Sequence, residues 1–162
     1  MTAFVYAVLT VVTIVLLAAA SWQDLKDRMV YAFPILFLQQ AWSFYLWLGT
    51  DWPDDFLSRF WLMHLLIYVL LNAWQIWGGA DSDIFLLFGN ACLAAGPVAN
   101  GYAVAVRECL TLSLGLILSI FICQIEKRRK KKGELPPEVA VIPGPALVIG
   151  ILLAGGLIWR LM

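Results

Sequence analysis

The chain has 162 residues, of which 62% are apolar and 14% charged, with eleven basic and eleven acidic side chains that cancel. A soluble globule of this length cannot bury so many apolar groups, and the same composition excludes disordered, collagen-like and disulfide-stapled classes. At about 20 residues per crossing, the apolar content allows about five or six helical membrane spans. The expected fold is therefore all-α and polytopic: one membrane-embedded domain over residues 1–162 with about six transmembrane helices and the lipid bilayer as its surroundings.

The first apolar run, residues 2–21, carries no charge and is long enough to cross the hydrocarbon core. Ala18-Ala19-Ala20 before Ser21 imitates a signal-peptide cleavage site, but no Lys or Arg precedes Lys26, so the run is expected to be retained as a span. A second run covers 30–49 and is followed by the acidic, turn-forming segment Asp51-Trp52-Pro53-Asp54-Asp55. The third, 60–77, ends at Gly78-Gly79; the fourth, 82–98, is broken by Gly96-Pro97; the fifth and sixth cover 107–125 and 143–161. Between these last two lies Lys127-Arg128-Arg129-Lys130-Lys131-Lys132. Six consecutive cations beside a span belong in the cytoplasm by the positive-inside bias. Alternation then puts both termini outside, the 51–58 segment outside, and loops 22–29 and 78–83 inside, the first of which holds Lys26 and Arg28. The basic run reads as a topogenic signal with attraction for anionic lipid, and nucleic acid is not an expected partner.

Cys92, Cys109 and Cys123 are odd in number, lack CxxC spacing and sit in apolar runs, so they read as buried packing residues. In the third span His64, Tyr68, Asn72 and Gln75 recur at helical spacing and form a polar stripe that must face other helices. His64 has no His, Cys or acidic neighbour at metal-ligand spacing, and no metal site is expected. Ala146, Gly150 and Ala154 repeat every four residues and suit close helix packing. Glu108 beside Arg107 reads as an interfacial pair at the outer end of the fifth span.

The topology brings Asp24 and Asp81 to one face of the membrane, at the ends of different spans. Ionisable groups there are functional candidates unless they escape to water. The bland readings are a solvated loop carboxylate for Asp24 and a helix cap for Asp81. Two carboxylates a few ångströms apart share one proton and make an acid–base machine. Asp81 before a helix N-terminus is expected to be the ionised base, and Asp24 after a helix C-terminus the acid. Gly78-Gly79-Ala80 offers backbone with little side-chain bulk, which another helix or an extended substrate can approach closely; otherwise it is a helix terminator.

Gly78-Gly79-Ala80-Asp81, closing one apolar span and opening the next, resembles the GxGD-type motif of the type IV prepilin peptidase family, in the form seen in archaeal members. Asp24-Leu25-Lys26-Asp27-Arg28-Met29-Val30 resembles the family's other catalytic segment, and Ile142-Pro143-Gly144-Pro145 is similar to its Ile-Pro-x-x-Pro region. The resemblance runs over nearly the whole chain. It implies a membrane aspartyl endopeptidase of the plasma membrane, with catalytic Asp24 and Asp81 supported by Gly78, Gly79 and Ala80. That enzyme removes the leader of prepilin-like or pseudopilin proteins at the cytoplasmic face without a cofactor, and a homo-oligomer is compatible with it. The chain lacks the cysteine-motif segment of larger bacterial relatives, so only the peptidase activity is expected. Two positions depart from the pattern: Val30-Tyr31-Ala32 stands where members have Ile-Pro-Asn, and Asp83 stands where they have Lys, an anion that would raise the pKa of Asp81. These departures favour the alternative, a non-catalytic scaffold that binds pilin-like helices. A small transporter using buried carboxylates is a third reading, but no matching interrupted halves occur.

Overall fold

The computed structural model describes residues 2–27, 29–74, 79–129 and 141–162. Their regular structure consists of α1 (Thr2–Asp27), α2 (Ala32–Gly49), α3 (Asp54–Ala73), α4 (Gly79–Ala95), α5 (Gly101–Arg129) and α6 (Pro143–Leu161). The fold is all-α, as the composition requires. Four helices, α1, α3, α5 and α6, are long and apolar enough to cross a membrane. Their outward faces carry Val11, Val15, Leu62, Leu66, Leu110, Ile117, Phe121 and Ile151, all exposed. A continuous apolar belt of this kind suits lipid and not water.

The two remaining helices fall short for different reasons. Gln39, Gln40 and Ser43 interrupt the apolar run of α2. The 17 residues of α4 reach only about 26 Å, and its first turns carry Asp81, Ser82 and Asp83. Yet α4 is the hub of the bundle, packing against α2, α3, α5 and α6. Leu87, Phe88, Ala91, Cys92, Leu93 and Ala94 are all fully buried. A helix that faces protein all round has no need of a lipid-matched surface.

Cross-helix contacts fix the directions. Asp24 meets Ile142 while Tyr6 donates to the Leu153 carbonyl at 3.0 Å, so α1 and α6 run antiparallel. Trp42 donates to Thr13 at 2.8 Å and Tyr45 packs against Tyr6, which sets α2 antiparallel to α1. Trp61 reaches Asn90, and His64 lies by Gly89, so α3 is antiparallel to α4. Ser119 meets Val141 and Gly115 meets Pro145, so α5 is antiparallel to α6; the short 96–100 connection reverses α4 into α5, and α4, whose Ala95 abuts Gly156, therefore runs parallel to α6. Successive helices therefore alternate in direction, and the start of α1 lies with the end of α6.

Helix bounds differ from the expected spans where charged residues join helices instead of loops. Asp24 lies in the last turn of α1 and not in a 22–29 loop. Asp54 and Asp55 open α3, where acidic side chains suit the N-terminal dipole. The apolar helix α5 continues to Arg129, and Lys127 and Arg128 near its end complement the C-terminal dipole.

The backbones of α5 and α6 meet closely at Gly144, where any Cβ would overlap the Gly115 carbonyl oxygen and Ser119 of α5. Small residues of this kind let helix backbones meet in a membrane. The expected repeat of Ala146, Gly150 and Ala154 is less critical, since a Cβ on Gly150 would sit 3.7 Å from Ile14 in ordinary contact. Gly155 faces open space. Gly144→Ala is expected to lower stability by about 1–3 kcal/mol or more, whereas Gly155→Ala should leave it unchanged or raise it by up to about 1 kcal/mol. Denaturant titration of the purified protein in mixed micelles, followed by tryptophan fluorescence, checks both.

Candidate active site

Asp24 is 7% exposed, and its Oδ2 accepts a hydrogen bond from the Ile142 backbone N–H at 3.1 Å. This bond exists because of how α6 begins. A helix start leaves its first amides without intrahelical partners, and in an apolar layer water cannot supply them. Two of the first-turn residues here, Pro143 and Pro145, have no N–H at all. The Gly144 amide donates to Ser119 Oγ of α5 at 3.0 Å. The Ile142 amide is met by Asp24 of α1, and the first helical bond runs from the Ala146 amide to the Ile142 carbonyl at 3.0 Å. The carboxylate at the end of α1 thus acts as a cap for a helix 118 residues away in sequence. The solvated-loop reading of Asp24 is corrected: the side chain is buried because the α6 start needs an acceptor there.

Asp81 lies in the first turn of α4 and is partly buried. It belongs to the helix, which starts at Gly79, and is not the cap residue ahead of it. Its height follows from the parallel pairing of α4 with α6. From the contact between Ala95 and Gly156, an equal number of residues back along each helix leads to Asp81 and Ile142. Counted this way, the starts of α4 and α6 lie at the same end of the bundle, so Asp81 shares that end with Asp24.

Two expectations change. Asp24 ends α1 but also sits at the N-terminus of α6, so helix ends no longer distinguish it from Asp81. Gly79 and Ala80 open α4 and do not terminate a helix, while Gly78 lies outside the described residues. Asp83 is two residues beyond Asp81, and side chains at that spacing do not share a helix face. It is 3% exposed and turned against the Tyr68 hydroxyl of α3, with Oδ1 lacking a hydrogen-bond partner among the described residues.

The polar stripe of α3 points inward in part. His64 Nδ1 contacts the Phe60 carbonyl at 2.9 Å, and Nε2 contacts Glu108 Oε1 of α5 at 2.6 Å. A carbonyl only accepts, so Nδ1 carries a proton, and a second proton lies between Nε2 and the carboxyl group. Glu108 is 8% exposed. It is not the interfacial pair expected with Arg107, because Arg107 extends over Gly96 at the end of α4. Asn72 bonds the Tyr68 carbonyl of its own helix at 2.9 Å, and Gln75 lies outside the described residues. Cys92 and Cys123 are buried as expected, but Cys109 is exposed, since the helix that turns Glu108 inward turns the next residue out. No group of three or more metal-ligating side chains occurs among the described residues.

Between α2 and α3 opens a groove of 480 Å³ that His64 and Tyr68 line, with Asn90 as its floor. Asn90 accepts from Trp61 at 2.9 Å and donates to Gln39 Oε1 and Ser43 at 2.8 Å. This network ties α2 and α3 to α4 at mid-helix. Neither Glu108 nor Asn90 announces its role by spacing, because each partner lies on another helix.

No family model, no curated protein and no solved structure matches this chain.

The buried His64–Glu108 contact yields a direct expectation. Glu108→Ala leaves the ring without its partner beside Gly89, whose Cβ position is only 2.8 Å from Nε2, and should destabilise the protein by about 3–5 kcal/mol. A double-mutant cycle with His64→Ala, read by denaturant midpoint, should return a coupling of at least about 1 kcal/mol; additive losses would show that the pair contributes no joint stability.

Proposed function

We propose that this chain is a membrane aspartyl endopeptidase acting on prepilin-like substrates, with Asp24 and Asp81 as its catalytic pair. The observation that supports the reading is that Asp24 and Asp81 lie toward the same end of the bundle, Asp24 being buried on the Ile142 amide. On this reading, that end faces the cytoplasm of the plasma membrane, and Lys26 and the cations at the end of α5, Lys127 and Arg128, lie on the same side. Two carboxylates sharing one proton supply both halves of the hydrolysis. The ionised member takes a proton from water as its oxygen bonds the peptide carbonyl carbon. The protonated member hydrogen-bonds the carbonyl oxygen and then delivers its proton to the leaving amine as the C–N bond breaks. Helix position assigns neither role, so the pair acts as one unit.

The alternative, a non-catalytic binder of pilin-like helices, draws on Asp83, which lies against the Tyr68 hydroxyl, and on Val30-Tyr31-Ala32; cleavage separates the two readings.

The test is co-expression in membranes with a tagged prepilin from the same genome. The wild type should shorten the substrate band, and Asp24→Asn and Asp81→Asn should each reduce cleavage by at least about a thousandfold while the protein still accumulates. An intact substrate panel with the wild type, or cleavage that survives either substitution, overturns the reading.

A further inference from the structure

Ser119 sits in mid-α5, 2% exposed, and does more than a helical serine ordinarily does. The usual bond of such a hydroxyl is to the carbonyl four residues back. Here that acceptor, Gly115 O, is 3.2 Å away, while the Val141 carbonyl just ahead of α6 is 2.6 Å away. The same oxygen accepts from the Gly144 amide at 3.0 Å. Ser119 therefore grips the chain on both sides of Ile142, donating to the residue before it and accepting from a residue after it. Between these two attachments, Pro143 has φ locked by its ring. Gly144 lies so close to Gly115 and Ser119 that the turn has little room to slide. The Ile142 amide projects from this held turn to Asp24 Oδ2.

We propose that Ser119 is a positioning residue for Asp24: by clamping Val141 and Gly144 it sets the place of the Ile142 amide, and that amide sets the carboxylate. The proposal rests on the peptidase reading for its catalytic meaning. It contacts no substrate and takes part in no proton transfer. Without the hydroxyl, the Val141 carbonyl and the Gly144 amide lose buried partners, and the turn must shift to find others. Reacting groups displaced by about 1 Å can lose about a hundredfold in rate, and a smaller shift of a held carboxylate loses less.

The test combines turnover with a readout that needs no activity. Ser119→Ala, and Ser119→Cys, which is near in size but only a weak donor, are compared with wild type in nanodiscs. Cleavage of a prepilin peptide should show kcat lower by about tenfold, KM within about twofold and a displaced kcat–pH profile for Ser119→Ala, with Ser119→Cys between. In protein labelled with 15N-isoleucine, the Ile142 amide proton should titrate with Asp24, lose that titration in Asp24→Asn, and shift with reduced amplitude in Ser119→Ala. If the wild type cleaves and both Ser119 variants keep its kcat and pH profile, the positioning role is overturned. An Ile142 titration unchanged by Ser119→Ala overturns the clamp itself. If no prepilin is cut by the wild type while the Ile142 signal still responds to Ser119, the peptidase reading fails and removes the catalytic role with it, leaving only a cap.

Discussion

Much of this architecture depends on how α6 is allowed to begin. It starts alongside Ser119, well inside the length of α5, where its first amides have no water to turn to. Two prolines remove donors, and two side chains from different helices satisfy the Ile142 and Gly144 amides. The consequence reaches beyond one helix end. Asp24 pins the end of α1 to α6, Ser119 pins α5 to it, and Gly156 brings α4 alongside at the far end. A requirement to satisfy two amides thus ties α1 and α5 to the start of α6, and with it fixes the place of Asp24.

The hub position of α4 explains several features that look independent. Because it is enclosed by other helices, it can be short and can carry Asp81, Ser82, Asp83 and Asn90 without presenting them to lipid. Gly89 leaves room for the ring of His64, so α3 reaches across α4 to Glu108 of α5. Asn90 one residue on faces the other way and collects Trp61, Gln39 and Ser43. At the end of the same helix, Arg107 covers Gly96 and Arg160 donates to the Ala94 carbonyl at 2.8 Å. Two cations at a helix C-terminus complement its dipole, and Arg160 there also meets a carbonyl that lacks a partner within the helix.

The class of fold was legible because apolar content and run length are one-dimensional quantities, and a membrane leaves helices as the main solution. Helix ends were less so. Asp24, Asp54 and Lys127 read as loop residues on polarity alone, yet each joins a helix whose dipole or tertiary partner suits its charge. The aspartates could be selected from their positions at span ends, but the burial of Asp24 could not, since its acceptor role depends on an amide 118 residues away. Glu108 was misread for the same reason: its neighbour Arg107 is visible in sequence, and His64 on another helix is not. Where periodicity did carry information, in the stripe from His64 to Asn72, it identified the face without naming the partners.

Asp83 illustrates how a residue's spacing and its surroundings can point to opposite conclusions. Counted along the chain, it is an anion two places from Asp81 and the strongest reason to doubt a working pair. Counted around the helix, it lies on another face, against Tyr68. The same distinction governs the two aspartates. Their places at helix ends suggested unlike environments, one at a positive and one at a negative dipole end; packing gives both an N-terminal setting, α6 for Asp24 and α4 for Asp81. Two carboxylates that both sit at helix N-termini are not divided in advance into acid and base by the helix dipole. On the peptidase reading, the division arises when substrate and water arrive, and a single shared proton can then serve either carboxylate.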